Sequence, residues 1–404
     1  LPWLDALVVM GRSLTLFLGA LLLFAYVPMA LDLRSQGLSF TWGRSGNSAY
    51  AFMLGLGTLA VLSLVWAFDI VGGVDKAVAF IGVLVTTRVL AICLAEGRLL
   101  PLAAYVISAL IASLVVIRQD VTGEIDMRAT YEGTNQNLSA LVLTVGAIWA
   151  LVFVLNSSSI KQRILGFGAF LLLGASALRT GSRTGVLALT VGGAIVLAVG
   201  MARSRGWART KALAVSFVAL AIGWMLWTLR PDFIPERVWG SLESVSAGDL
   251  NAREIYWEST WSASSEWLPW GMGYGSTYKY VESLIFEPRS LHNTFLTVVV
   301  ELGLVGIILF CGWLVATSFA AMNSPYRDYV LAAGACMLLF GLTLSLDDSK
   351  LTWFVAALAL TPTGVKQKPV GPRAARGHRE RRLQPRSEPG QGQVPANGLT
   401  SRTM

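Results

Sequence analysis

Two histidines occur in 404 residues, His292 and His378. His378 falls in a run rich in Arg, Pro and Gly, whereas His292 stands at the entry to an apolar stretch, in His292-Asn293-Thr294-Phe295. An imidazole titrates near neutral pH, so it can take a proton from a hydroxyl or, as imidazolium, hold a phosphate. The sequence leaves both roles open for His292. Arginines form the second group with chemical potential. They occur in Arg179-Thr180-Gly181-Ser182-Arg183-Thr184-Gly185, in Arg253-Glu254-Ile255-Tyr256-Trp257, and at Arg289. Guanidinium groups grip phosphate oxygens bidentately, stay charged beside lipid, and stabilise negative charge that grows on a leaving group. Asn137, Asn293 and Tyr274 join Arg179 and Arg289 as candidate substrate-binding groups.

Each of these residues also has a plainer meaning. Arg183, at the end of an apolar stretch, can be a snorkelling anchor, and Arg253 a solvated helix charge. Gly303 and Gly306, in Glu301-Leu302-Gly303-Leu304-Val305-Gly306, can be helix-packing positions. Glu301 sits inside an apolar run, where a carboxylate is costly and calls for a partner. Arg88 lies well inside another such run, at a cost of about 2.5–3.5 kcal/mol on insertion scales. It should face the bundle or a headgroup cavity, and is a further substrate-binding candidate.

The elements that must position these residues are membrane helices. The chain is 54% hydrophobic and 14% charged, against about 25% charged in soluble domains. Apolar blocks long enough to cross a bilayer fall at about 14–30, 49–67, 77–95, 99–117, 138–155, 164–178, 184–202, 211–229, 293–318, 328–345 and 351–362. The expected fold is an all-α polytopic membrane protein of about 11–12 transmembrane helices. Its parts are an N-terminal bundle over 1–229, a helical loop over 230–292, C-terminal helices over 293–364 and a disordered basic tail over 365–404. Alternating ten-residue strands are missing, which argues against an outer-membrane barrel. Cys93, Cys311 and Cys336 all fall in apolar blocks and read as small buried residues rather than a disulfide framework.

Basic residues cluster at Arg203–Lys211, at Lys161 and Arg163, at Arg327, and throughout the tail. The positive-inside rule puts these segments in the cytoplasm. Alternation then places 118–137, 179–183, 230–292 and 346–350 together on the opposite face, with every candidate group except Arg88. The 230–292 loop holds Trp239, Trp257, Trp261, Trp267 and Trp270 with several tyrosines. Such aromatics suit an element lying along the interface and equally a groove for sugar rings. Asn251 to Trp267 reads as a helix with Ile255, Thr260 and Trp261 broadly on one side, broken afterwards by Pro269 and the glycines 271, 273 and 275. Acids outnumber bases in this loop, which weighs against a nucleic-acid partner. The acidic pairs Glu124/Asp126 and Asp347/Asp348 could hold a hard cation, but read more simply as solvated loops. No zinc cluster or Walker loop is present in the sequence, and the site assignment includes no metal and no cofactor.

Taken in order and on one face, the Ser-Arg-Thr-Gly turn, the Arg-x-x-x-Trp of the long loop, and the His-Asn run followed by Glu-x-Gly-x-x-Gly resemble the O-antigen ligase and polysaccharide polymerase superfamily of bacterial inner membranes. The resemblance covers about Gly133 to Gly306. It implies a metal-independent C-type glycosyltransferase with its active site facing the periplasm. The implied donor is a glycan on undecaprenyl diphosphate. The implied acceptor is lipid A-core for a ligase, or another lipid-linked glycan for a polymerase. Arg183, Arg253 and His292 match the family's essential residues and are the expected catalytic groups. A transporter or flippase of lipid-linked glycan is the rival of another class; the gathering of polar candidates outside rather than at mid-membrane, and the lack of a half-to-half repeat, weigh against it.

Overall fold

The computed structural model describes residues 8–9, 12–13, 44–95, 97, 100–119, 130, 135–203, 253–286, 290–346 and 349–361. It is an all-α polytopic membrane protein. Nine of the eleven expected apolar blocks are helices; those at 14–30 and 211–229 lie outside the described residues. The membrane-type helices are α1 (Arg44–Ser63), α2 (Ile70–Ala95), α3 (Leu100–Arg118), α4 (Gln136–Asn156), α5 (Ile160–Arg179), α6 (Arg183–Arg203), α10 (Thr294–Met322), α11 (Arg327–Gly341) and α12 (Lys350–Leu360). Among the described residues between α6 and α10 are three short helices: α7 (Arg253–Ser262), α8 (Ser264–Trp267) and α9 (Thr277–Ile285). Among the described residues, six helices are long and apolar enough to span a bilayer: α1 with the 3₁₀ turn that follows it, α2, α3, α4, α6 and α10. Two residues each at Val8–Val9 and Arg12–Ser13 form an antiparallel pair.

The helices pack as two groups. In one, α3, α5, α6 and α11 surround α4, whose Leu141, Leu143 and Ile148 are fully enclosed. In the other, α1, α2 and α12 pack with α10 around an aromatic series, Phe80–Trp353–Trp313–Phe310–Phe295, with ring centroids 4.8–5.7 Å apart. The α11 helix belongs to the first core and also packs on α10 and α12, so it joins the groups. Small residues set the spacing: the Cys336 thiol donates to the Ala188 carbonyl at 3.2 Å, and Gly192 lies directly against Cys336 and Ile148.

Two helices are short. At 1.5 Å per residue α11 and α12 are roughly 22 and 16 Å long, against about 30 Å of hydrocarbon. Their connecting turn lies level with the head of α10. The upper end of α10 is tied to it, because the Thr294 hydroxyl donates to Leu344 O at 2.7 Å and accepts from Leu346 N at 2.9 Å.

Helices α7 to α9 form a cap with its own small core of Trp267, Tyr280, Val281, Leu291 and Val300. The expected single helix from 251 to 267 is two, parted at Ala263; residues 251 and 252 lie outside the described set. Ile255, Thr260 and Trp261 do not share a side. Thr260 is buried while Ile255 and Trp261 are exposed, because five residues advance a helix by well over a full turn.

The cap docks into a break in α10. Gly303 has φ 66° and ψ −160°, which interrupts the helical ladder. The cap segment supplies replacement bonds there. Met272 N donates to Val300 O at 2.7 Å, Gly273 N to Glu301 O at 2.9 Å, and Leu304 N to Pro269 O at 2.9 Å. A Cβ on Gly303 would meet Pro269 O at 2.0 Å, and one on Gly271 would meet Glu301 O at 2.4 Å. Only glycine allows both this approach and the positive φ. Gly303→Ala should therefore undock the cap, seen as rapid proteolytic cleavage within 268–276 while the helices stay in the membrane fraction. Cleavage at the wild-type rate would count against this account of the break.

Candidate active site

The turn between α5 and α6 uses nearly every polar group it has. Thr180 Oγ1 donates to Ala177 O at 2.7 Å, and Ser182 N donates back to Thr180 Oγ1 at 3.3 Å. Ser182 is the helix cap, with Oγ accepting from Gly185 N at 3.1 Å and donating to Asn137 Oδ1 at 2.7 Å. Asn135 in turn caps α4 by accepting from Asn137 N. Arg179 donates to the Gln119 carbonyl, where a cation satisfies the carbonyl end of α3. Arg183 stands at the other end of this turn. Its Nε is buried with no hydrogen-bond partner among the described residues. It is also the first residue of α6, where the helix dipole is positive and a cation is disfavoured. Ser182→Ala should cost about 1 kcal/mol of helix-cap stability, readable as a lower Tm in detergent; an unchanged Tm would mean that the cap contributes nothing.

A second group gathers at the head of α10. His292 has φ 49°, a left-handed conformation uncommon outside glycine and one that stores strain. Both neighbours hold it there. Trp257 Nε1 of α7 donates to Leu291 O at 2.8 Å, and Asn293 caps α10 by accepting from Leu296 N at 3.1 Å. Arg253 lies one turn before Trp257, so it occupies the helix face turned towards Leu291–Asn293. Ser290 Oγ lies 3.1 Å from Ser345 Oγ of the α11–α12 turn, and Ser345 Oγ is 3.2 Å from Thr297 Oγ1. The strained histidine, the α7 arginine and the hydroxyl cluster thus converge above the α11–α12 turn.

The third feature is ionic. Glu301 is 2% exposed and accepts from Lys76 Nζ at 3.1 Å through each oxygen. Thr277 Oγ1 donates to the same carboxylate at 2.8 Å, and Lys76 lies 4.9 Å from the Tyr274 ring centre. Nearby, Lys279 of α9 pairs with Asp69 at 2.9 Å, and Asp69 N donates to Ser276 Oγ at 3.1 Å. The hydrogen bond from Lys279 holds the Asp69 carboxyl below its ordinary value of 3.8, against the opposing effect of burial. That contribution to docking is present above the ordinary value and is lost as pH falls through the lowered one. In the cap, burial and then the Glu266 acceptor raise the Tyr280 hydroxyl, so it stays a neutral donor to Glu266 at 3.0 Å.

The candidates from sequence distribute as follows. Arg179, Arg183 and Asn137 come together around the α5–α6 turn; Arg253, His292 and Asn293 come together beneath the cap. Both groups lie at the same end of the bundle, with α11 packed on α6 and α10 alike. Asn137 and Asn293 carry structural hydrogen bonds. Tyr274 is 4% exposed and belongs to the Lys76–Glu301 cluster, packed 5.8 Å from Phe80. Arg88 is eighteen residues into α2, some 27 Å from its cap end, with its guanidinium 5.2 Å from the Tyr50 ring centre. Arg289 and the acidic pairs Glu124/Asp126 and Asp347/Asp348 lie outside the described residues. Lys76 and Asp69 lie outside the apolar block, which begins at 77 in the sequence, whereas α2 starts at Ile70. The available signal was Glu301 itself, whose burial demanded a cation.

No curated protein matches the chain. Residues 167–311 match a family model described as O-Antigen ligase. That segment holds the Arg183 turn, the cap, His292 and the break in α10. Over that segment the chain is similar to the O-antigen ligase family.

Proposed function

We propose that this protein moves a glycan from undecaprenyl diphosphate to a sugar hydroxyl on lipid A-core, as an O-antigen ligase of the bacterial inner membrane with its active site on the periplasmic face. One observation carries the reading most directly: Arg183 keeps a buried Nε with no hydrogen-bond partner among the described residues, at the N-terminus of α6. A cation in that setting calls for an anion, and helix N-termini favour phosphates. Arg183 and Arg253 hold the donor's diphosphate and offset the charge that grows on it. The acceptor hydroxyl attacks the anomeric carbon, with inversion, as the C–O bond to phosphate breaks. The hydroxyl proton passes to His292 as general base, and undecaprenyl diphosphate leaves. The donor bond supplies the free energy, so no nucleotide, cofactor or metal enters the step. The strained backbone at His292 is consistent with a side chain fixed for this role.

The test is a reconstitution in nanodiscs with EDTA, supplied with a glycan on undecaprenyl diphosphate and with lipid A-core. Glycan on lipid A-core is the expected product. Lengthened glycan still on undecaprenyl diphosphate would replace the ligase reading by polymerase. Activity only after a divalent cation is restored would overturn the metal-free mechanism. No product under any condition, with ion-dependent movement of the lipid-linked glycan across the bilayer, would replace transfer by transport.

A further inference from the structure

Four hydrogen bonds join in series beside His292. Thr297 Oγ1 donates to Asn293 O at 2.9 Å. A hydroxyl has one proton, so towards Ser345 Oγ, 3.2 Å away, Thr297 accepts. Ser345 therefore gives its proton to Thr297 and accepts from Ser290 Oγ at 3.1 Å. Ser290 in turn accepts a long bond, 3.4 Å, from His292 N. The series runs one way, from the N–H of His292 to the carbonyl of Asn293, and it brackets the residue whose φ is 49°. Every member but one belongs to the segment 290–297. Ser345 comes from the turn between α11 and α12, so through it another element grips this backbone.

Ser345 is itself held at both neighbours. The Thr294 hydroxyl donates to Leu344 O and accepts from Leu346 N, which fixes the backbone on either side of Ser345 to the head of α10. A left-handed backbone at a residue with a side chain persists only where its surroundings over-determine it. The Trp257 bond to Leu291 O and the Asn293 cap also restrain His292, but each has a second duty. Trp257 packs against the small core of the cap, and Asn293 begins a helix. The Ser345 hydroxyl reaches the 290–297 segment with both of these bonds.

We propose that Ser345 is a positioning residue for His292. It acts through Ser290 and Thr297 to hold the left-handed backbone, and so the direction in which the imidazole leaves the chain. The proposal rests on the reading of His292 as general base, and it brings into the site a residue outside the 167–311 segment.

The first test needs no substrate. Hydrogen–deuterium exchange of the full chain in nanodiscs reads the backbone over 290–297 directly. Ser345→Ala should speed exchange there by about tenfold, the usual scale for one hydrogen bond, while peptides of α4 keep their rates. Unchanged exchange would overturn the link, whatever the reaction. The second test is kinetic, with a glycan on undecaprenyl diphosphate and lipid A-core as substrates. The kcat of Ser345→Ala should fall about 10–10²-fold with KM for both substrates within about twofold, because misplacing a reacting group slows the step without weakening substrate binding. In a His292→Ala background the same change should leave the remaining rate where it is, since no imidazole is left to position. Equal losses in both backgrounds would make Ser345 a structural residue and overturn the proposal. Wild-type kcat in Ser345→Ala beside a disabled His292→Ala would overturn the positioning alone. Wild-type kcat in His292→Ala would remove the general base and the proposal with it. Ser290→Ala cuts the same series from its other side and should show the same pattern; it takes the place of Ser345→Ala should that variant fail to insert.

Discussion

Arg183→Ala should lower the transfer rate by about 10²–10³-fold, the usual loss when one preorganised donor to a developing negative charge is removed. The protein should still insert and keep most of its thermal stability, because Nε of Arg183 bonds to no described residue whose partner would be lost. Arg183→Lys is the more informative variant. It retains the charge but loses the planar fork, so it should stay well below wild type. If the rate depends on charge alone, lysine restores activity, and bidentate recognition of a diphosphate is wrong. If alanine is fully active in the reconstituted assay, the proposed role of the α5–α6 turn fails altogether.

Glu301→Ala should be the most destabilising polar substitution in the described structure. It leaves the Lys76 ammonium, 19% exposed, without its carboxylate, and removes the acceptor for Thr277. Breaking a buried pair on one side typically costs about 3–5 kcal/mol. Replacing both partners by apolar residues of similar size, Lys76→Met with Glu301→Leu, should recover much of that loss, because no charge is then stranded. The measurement is a double-mutant cycle on thermal unfolding in detergent. Additive losses would mean that the two groups do not depend on each other, against the 3.1 Å contact.

Hydropathy alone located the membrane helices, because a bilayer imposes both a length and a composition on whatever crosses it. It also placed the α5–α6 turn, the head of α10 and the loop over 253–286 on one face, since alternation of spans requires it. Helix starts were less legible. The α2 helix begins seven residues before the apolar block that announced it, since Asp75 and Lys76 look like loop residues until their partners are known. The break at Gly303 was invisible for a related reason. A helix interrupted by another segment's backbone keeps an unbroken apolar sequence, and Glu301 reported only that something polar must approach. Asn137 and Asn293 show the converse. Their types suggested substrate contacts, while their bonds cap helices and join turns, a distinction that depends on neighbours remote in the chain.

The break in α10 also bears on the order in which the bundle is completed. Met272 N, Gly273 N and Pro269 O supply the bonds that Gly303 interrupts. Backbone groups inside a membrane bundle must be satisfied by protein. The cap segment precedes α10 in the chain, so closing this helix and seating that segment would be one event rather than two.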